Sequence, residues 1–354
     1  MIKYYTRACN FYYGKEAQLQ IKKKIALPLC GNRFIAFDSI ELFIRSNKKI
    51  NSKIVLLKNL NKLNRLEYKI ITKALRKITK KRKNFLKNVD FSKPIVMGIL
   101  NLTPDSFSDG GLFNKNTKSL EHISNMINSG AEIIDVGGES TRPGSKTVSI
   151  NNEWKRLKYV LKNFKNRFSK TCLSVDTRKS HIMIKSINCG ANLINDVSGF
   201  NYDKKSIKVL KKKKIPKVIH HMQGTPKTMQ NNPKYNNVLL DIYDFFEDKI
   251  NDLSDKNIII DPGIGFGKTL KHNLTLISKI SLFHSLGFPI MIGTSRKRFI
   301  NEISKKYDSK ERIGGTIASV LFLLSQGVQI YRVHNVREVK QGISVFREIL
   351  LNQW

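Results

Sequence analysis

From Pro94 onward the chain alternates between short apolar runs and longer segments in which apolar positions recur every three or four residues. The runs lie at 95–100, 132–136, 172–175, 193–197, 218–221, 258–260, 290–293 and 330–333. Continuous apolar runs of this length suit strands buried on both faces, and the 3.6-residue recurrence suits amphipathic helices. The helical segments are predicted at 119–129, 153–168, 180–188, 206–213, 239–253, 274–284, 312–325 and 336–350. Eight strands, each followed by a helix, predict a (β/α)8 TIM barrel. A doubly wound sheet is the alternative for such a pattern.

The first 90 residues have a different texture. Ile35 and Phe37, then Ile40, Leu42 and Ile44, form two short alternating stretches, and an apolar run follows at 53–57. Leu63, Leu66, Ile70, Ala74, Leu75 and Ile78 recur at helical spacing, with Arg65, Lys69, Lys73, Arg76, Lys77 and Lys80 on the other faces. This predicts an amphipathic basic helix packed on a neighbouring domain, with membrane or RNA contact as the sharper reading. The stretch at 80–93 reads as a polar connector. The expected organisation is a small α+β N-terminal extension, 1–90, of unassigned role, and a barrel, 91–354.

Composition narrows the setting. Hydrophobic residues make up 40% and charged residues 26%, the balance of a globular chain. No run of 18 apolar residues occurs, so no membrane helix is expected. The N-terminus lacks the apolar core of a signal peptide, and Glu16 and Tyr12–Tyr13 fit a mitochondrial presequence poorly. Cys9, Cys30, Cys172 and Cys189 are widely spaced and read as thiols of a reducing compartment, so the expected location is cytoplasmic. The net charge is +37, of which residues 1–90 carry +18. Such an excess raises nucleic-acid binding or steering of anionic substrates. Lys, Asn and Ile abound throughout, however, which points to compositional drift and makes a nucleic-acid partner unexpected.

The chemistry sits where the strands end. Asn101, Asp135 to Glu139, Asp176, Asn195–Asp196, His220–His221, Asp261, Thr294 to Lys297 and Arg332 to His334 all follow apolar runs. In a (β/α)8 barrel this rim builds the active site. Two features mislead. The run from Gly263 to Thr269 has Pro262 where a phosphate-binding loop needs glycine, and adjacent His220 and His221 point to opposite faces of a strand. The remaining set is coherent. Asp176, Asp261, Asn195 and Lys297 offer acceptors and donors for a flat nitrogen-rich heterocycle whose amino-pyrimidine edge gives a carboxylate two adjacent N–H groups. Arg332 can lie on a ring face. Thr141, Arg142, Arg332 and His334 suit phosphate oxygens, and Asn101 offers a hard oxygen to Mg2+.

The segments Met97–Gly111, Asp135–Ser145, Ser174–Thr177, Leu193–Gly199, His221–Pro226, Asp261–Thr269, Gly293–Phe299 and Arg332–Val336 resemble the dihydropteroate synthase family across 94–350. The resemblance implies condensation of 4-aminobenzoate with 6-hydroxymethyl-7,8-dihydropterin diphosphate to give 7,8-dihydropteroate, with Mg2+ and a homodimer. Carried over by motif, Asn101 would ligate Mg2+ at the diphosphate. Asp176, Asn195, Met222, Asp261, Lys297 and Arg332 would hold the pterin, and Thr141, Arg142, Arg332 and His334 the diphosphate. Phe107, Pro143, Phe266, Lys297 and Arg298 would receive the aminobenzoate. Asp105, Arg142, Lys297, Arg332 and His334 would act on the reacting groups, with 102–116 and 138–150 as closing loops. Asn335 stands where the family often has Asp, and Arg298 where some relatives have Ser. The competing readings are a pterin-binding methyltransferase on the same barrel and a non-catalytic barrel that binds RNA through its basic extension.

Overall fold

The computed structural model describes residues 2–47, 49–103, 115–142, 144–305 and 308–352. The barrel is built from β5 (Ile95–Asn101), β6 (Ile133–Gly137), β7 (Cys172–Asp176), β8 (Leu193–Asp196), β9 (Lys217–His220), β10 (Ile258–Asp261), β11 (Met291–Ile292) and β12 (Ile330–Val333). They form one parallel sheet in the order β10-β9-β8-β7-β6-β5-β12-β11, and a bridge from Ile260 to Ile290 brings its ends together. Each of the eight predicted runs overlaps one of these strands, with ends that agree to within one residue or so. The helices around them are α3 (Lys115–Asn128), α4 (Ile150–Arg167), α5 (Ser180–Asn188), α6 (Ser206–Lys213), α7 (Val238–Leu253), α8 (Leu270–Ser278), α9 (Arg298–Ser304), α10 (Ile313–Ser325) and α11 (Val336–Leu351). The helix expected at 274–284 starts earlier and breaks. Thr269 caps α8 by accepting from the His272 backbone N–H, and the chain tightens into a 3-10 turn over Ile280–Leu286.

The extension is a four-stranded antiparallel sheet of β1 (Ile2–Tyr13), β2 (Leu27–Leu29), β3 (Asn32–Ser46) and β4 (Lys49–Leu56) with α1 (Gly14–Lys22) and α2 (Arg65–Thr79). The two stretches at 35–44 are one strand, because Asp38, which looks like a break, is buried and hydrogen-bonded by Asn10, Tyr12 and Ser39. The basic helix α2 buries Ile71, Leu75 and Ile78 in the same core as Phe37, Ile40 and Leu42, leaving its cations outward.

The extension docks on α7 and the 280–286 turn. Tyr5 donates to Asp244 at 3.0 Å, Arg45 pairs with Asp241 and Asp244, and Lys3 with Asp244 and Glu247. Ser281 donates to the Ala8 carbonyl at 2.8 Å. The connector differs from its polar reading. Leu86, Val89 and Phe91 turn inward and pack beneath Ile95, Met97, Ile133, Cys172, Leu193, Val218, Ile259, Met291 and Ile330, closing the barrel floor. The division expected at 90/91 runs through this plug. Among the described residues no helix is long and apolar enough to cross a membrane.

Candidate active site

Strand alternation carries the floor layer up into the mouth. Side chains two positions apart share a face, so floor residues Ile133, Leu193, Val218, Ile259 and Ile330 are each followed, two positions on, by Asp135, Asn195, His220, Asp261 and Arg332. Cys172 is followed in the same way by Ser174 and Asp176.

Buried Asp135 organises the layer. It accepts from Ser174 Oγ at 2.6 Å, from Asn195 Nδ2 at 3.1 Å and from Arg332 Nε at 2.6 Å. Arg332 Nη2 donates to Asp176 at 2.9 Å. Burial pushes the Asp176 carboxyl up, against the pull of the Arg332 guanidinium and with further push from Asp135. Asn195 Oδ1, turned away from this network, is buried with no partner among the described residues. Buried acceptors are rarely left in that state.

Asn195, Asp261, Phe266, Lys297 and Arg332 line one narrow cleft with His220 and Gly293. Asp261 accepts from the Gly263 N–H at 2.8 Å, and burial still pushes it up to about 6. Gly263 has φ +70°, and a Cβ there would lie 2.0 Å from the His221 carbonyl, so the loop after β10 requires glycine at this position. The tempting phosphate-loop pattern is therefore a close backbone crossing. Lys297 lies 4.1 Å above the Phe266 ring, and burial lowers it to about 8. The space left in the cleft is about 20 Å3, room for a water but not for a ring system. A ring-sized ligand therefore needs this lining to open. His220 donates Nδ1–H to the Val197 carbonyl at 3.1 Å and is neutral, held well below the usual range by burial. His221 faces outward and packs on Phe245, with buried Lys268 at 3.0 Å.

At the rim, His334 Nδ1 meets Ser295 Oγ at 3.0 Å, and Ser295 also accepts the His334 backbone N–H. Burial, with Arg296, Arg332, Lys297 and Arg142 nearby, lowers His334 to about 3, so it is a neutral donor at pH 7. Arg142 is exposed and Thr141 half-buried on the second loop. The base of that loop is fastened by a buried cluster. Arg178 pairs with Glu139 at 2.8 Å and donates to Thr147, and Lys179 pairs with Glu139 and Glu153. Glu139 also accepts the Val148 N–H. Asn335 Oδ1 accepts from Arg296 Nε and Nη2 at 3.0 and 2.7 Å.

Other expected residues fall elsewhere. Met222 is half-buried after β9, outside the cleft lining. Arg298 is 74% exposed and pairs with Glu302 at 2.7 Å. Asp105, Phe107 and Pro143 lie outside the described residues. Asp135 and Ser295 stand within strand-end runs noted in the sequence but were given no site role there, and Arg178 was not noted; shared parity with Ile133 is the signal that exposes Asp135.

Metal chemistry has one point of attachment. Among the described residues no three His, Cys, Asp or Glu side chains gather around a common point. Asn101 ends β5 with its Oδ1 close to Gly137, a glycine that Asp176 also flanks. A single protein oxygen suits Mg2+ that arrives on phosphate and keeps several waters.

A family model described as pterin binding enzyme matches residues 97–334. The dihydropteroate synthase of Escherichia coli K12 is 39% identical over 268 residues, 74% of this chain and 94% of that protein. The Yersinia pestis dihydropteroate synthase, solved with a sulfonamide drug, superposes with a TM-score of 0.70 at 38% identity, covering 74% of this chain and 96% of that one. The Xanthomonas albilineans enzyme, solved with 4-aminobenzoic acid, gives 0.69 at 32% identity, over 73% and 94% of the two chains.

Proposed function

The chain belongs to the dihydropteroate synthase family, and from that premise we propose how its barrel mouth works on its two substrates. It is a transferase of folate biosynthesis that joins 4-aminobenzoate to 6-hydroxymethyl-7,8-dihydropterin diphosphate, yielding 7,8-dihydropteroate and pyrophosphate. One observation carries the residue assignment: a buried, unpartnered acceptor, Asn195 Oδ1, shares a cleft with a carboxylate, Asp261, and an ammonium, Lys297. A pterin edge supplies N–H groups for the first two and a ring oxygen or nitrogen for the third.

Asp261 accepts the amino-pyrimidine N–H pair, and Asn195, oriented by Asp135, accepts a further ring N–H. Lys297 leaves the face of Phe266 and donates to the ring. Arg332, shared between Asp135 and Asp176, covers the pterin and turns its remaining N–H groups to the diphosphate. His334, with Ser295 on Nδ1, donates from Nε2 to the same oxygens, and Thr141 and Arg142 close from the second loop. Asn101 would hold Mg2+ together with the diphosphate, and that ion would neutralise charge on the leaving group.

The exocyclic C–O bond breaks first, its electron pair leaving with pyrophosphate. The electron-rich dihydropterin carries the resulting cation, with Asp105 as its counter-charge. The aminobenzoate nitrogen then forms the C–N bond and gives its proton to solvent. Phe107, Pro143, Phe266, Lys297 and Arg298 surround the aminobenzoate in this reading, and the two loops exclude water from the cation. The four free thiols suit a reducing cytoplasm. The family reading also includes a homodimer, which light scattering of the purified chain tests.

The decisive experiment gives the purified chain both substrates and Mg2+ and follows dihydropteroate and pyrophosphate, expected in equal amounts. Asn195→Leu is expected to lose pterin affinity in calorimetry by roughly 10-fold or more, since it removes the waiting acceptor. Unchanged pterin affinity in this variant would remove the cleft from the mechanism.

A further inference from the structure

A second cavity, of about 380 Å3, lies at the opposite end of the barrel, where the extension meets the floor. Its walls are the turn between β2 and β3, the segment leading into β5, the α10–β12 connection and the last turns of α11. Leu29, Phe34, Phe91, Leu324 and Val328 supply apolar surface, and Arg33, Lys81, Lys93 and Arg347 supply four positive charges. Among the described residues no acidic side chain lines it. All four cations are exposed around it and make no ion pair among the described residues, and Asp90 interacts electrostatically with Lys81.

That lack of compensation is local. Elsewhere on the same junction Lys3, Arg7, Arg45 and Lys279 each meet a carboxylate. Behind Lys81, the guanidinium of Arg82 is 3% exposed, reaches only the carbonyls of Lys77, Lys80 and His284, and leaves Nε without a partner. Arg82 does not itself line the cavity, and its charge adds to the positive field behind the lining. The wall is also preformed. Cys30 and Gly31 turn the chain with φ +53° and +73°, the Cys30 N–H is held by the Ile78 carbonyl, and its Sγ lies 3.3 Å from His284 Nδ1. A concave site with apolar walls, unpaired cations and ligand-sized volume fits one class of occupant.

We propose that this cavity binds a small organic anion with a ring-sized apolar body, its carboxylate or sulfonate facing Arg33, Lys81, Lys93 and Arg347. The site is independent of the barrel mouth and of the reaction performed there.

The test uses the full chain and 8-anilinonaphthalene-1-sulfonate, with uncharged N-phenyl-1-naphthylamine as its counterpart, in fluorescence titrations. The expected result is one saturable site that prefers the sulfonate at least tenfold and persists when dihydropterin diphosphate fills the mouth. Arg33→Gln with Lys93→Gln is expected to weaken the sulfonate tenfold or more, with turnover unchanged. Arg347→Gln, on a different element, repeats the test should the double variant melt early. Equal binding of the two probes, loss of the sulfonate to the pterin, or insensitivity to both sets of substitutions would overturn the proposal. So would binding that emerges only in a chain shortened to Asn352, which would make the chain's own end the occupant.

Discussion

Asp261 and Lys297 face each other's chemistry across the pterin cleft with opposite displacements, one pushed up to about 6 and the other down to about 8. Ring N–H groups bind the carboxylate and not the acid, so pterin affinity gains as pH rises through 6. Ring acceptors favour the ammonium, so affinity falls above 8. Calorimetry between about pH 5 and 9 should trace a bell with these limbs. Asp261→Asn is expected to abolish the acidic limb and weaken binding about 10- to 100-fold; an intact limb would assign it to another group. Asp135→Asn removes one of the two counter-charges of Arg332 and disturbs the donor that orients Asn195. A fall in kcat/KM of about 10- to 100-fold is expected, with pterin affinity falling alongside it. At this scale the sequence was informative about the polar tips of strands and silent about their cross-links. Asp176, Asn195, Asp261, Lys297 and Arg332 could be read because each follows an apolar run. Ser295 and Asp135 act through partners 39 and 197 residues away, a separation that no local pattern records.

The barrel strands and helices were legible because burial on both faces leaves a near-continuous apolar signature. The extension was harder. β1 shows no alternation in burial, and Asn10 at φ +57° interrupts its pairing between Cys9 and Phe11, so its periodicity changes phase in mid-strand. The connector was misread because six lysines and arginines dilute its few apolar residues, whose burial comes from the barrel floor. The second loop illustrates how an element is held from beneath. Arg178 bonds both Glu139 and Thr147 at the ends of that loop and stacks on Tyr202 at 3.9 Å. Arg178→Met leaves Glu139 buried with Lys179 as its remaining cation, a change of the kind that costs about 3–5 kcal/mol when a partner is removed outright. The expected signature is a several-fold rise in KM for aminobenzoate and lower Tm, with binary pterin affinity near wild type. Equal losses for both substrates would show that the clamp serves the whole mouth.

For the whole molecule, the plug makes extension and barrel harder to separate than their textures suggest. A chain beginning at Ser92 lacks Leu86, Val89 and Phe91, whereas one beginning at Asn84 keeps them. Refolding yield and light scattering should favour the longer chain markedly, since the shorter leaves a ring of apolar floor residues open to water. Equal yields would show that the barrel closes its own floor. The same geometry has a consequence for synthesis on the ribosome. The extension's sheet is complete within its first 56 residues, yet Tyr5 finds Asp244 only 239 positions later, and β5 waits for β12 at 330–333. At about 5–20 residues per second, the docking face of the nascent extension stays uncovered for roughly ten seconds or more. Until α7 emerges with Asp241, Asp244 and Glu247, the Lys3 and Arg45 that pair with them stay in water.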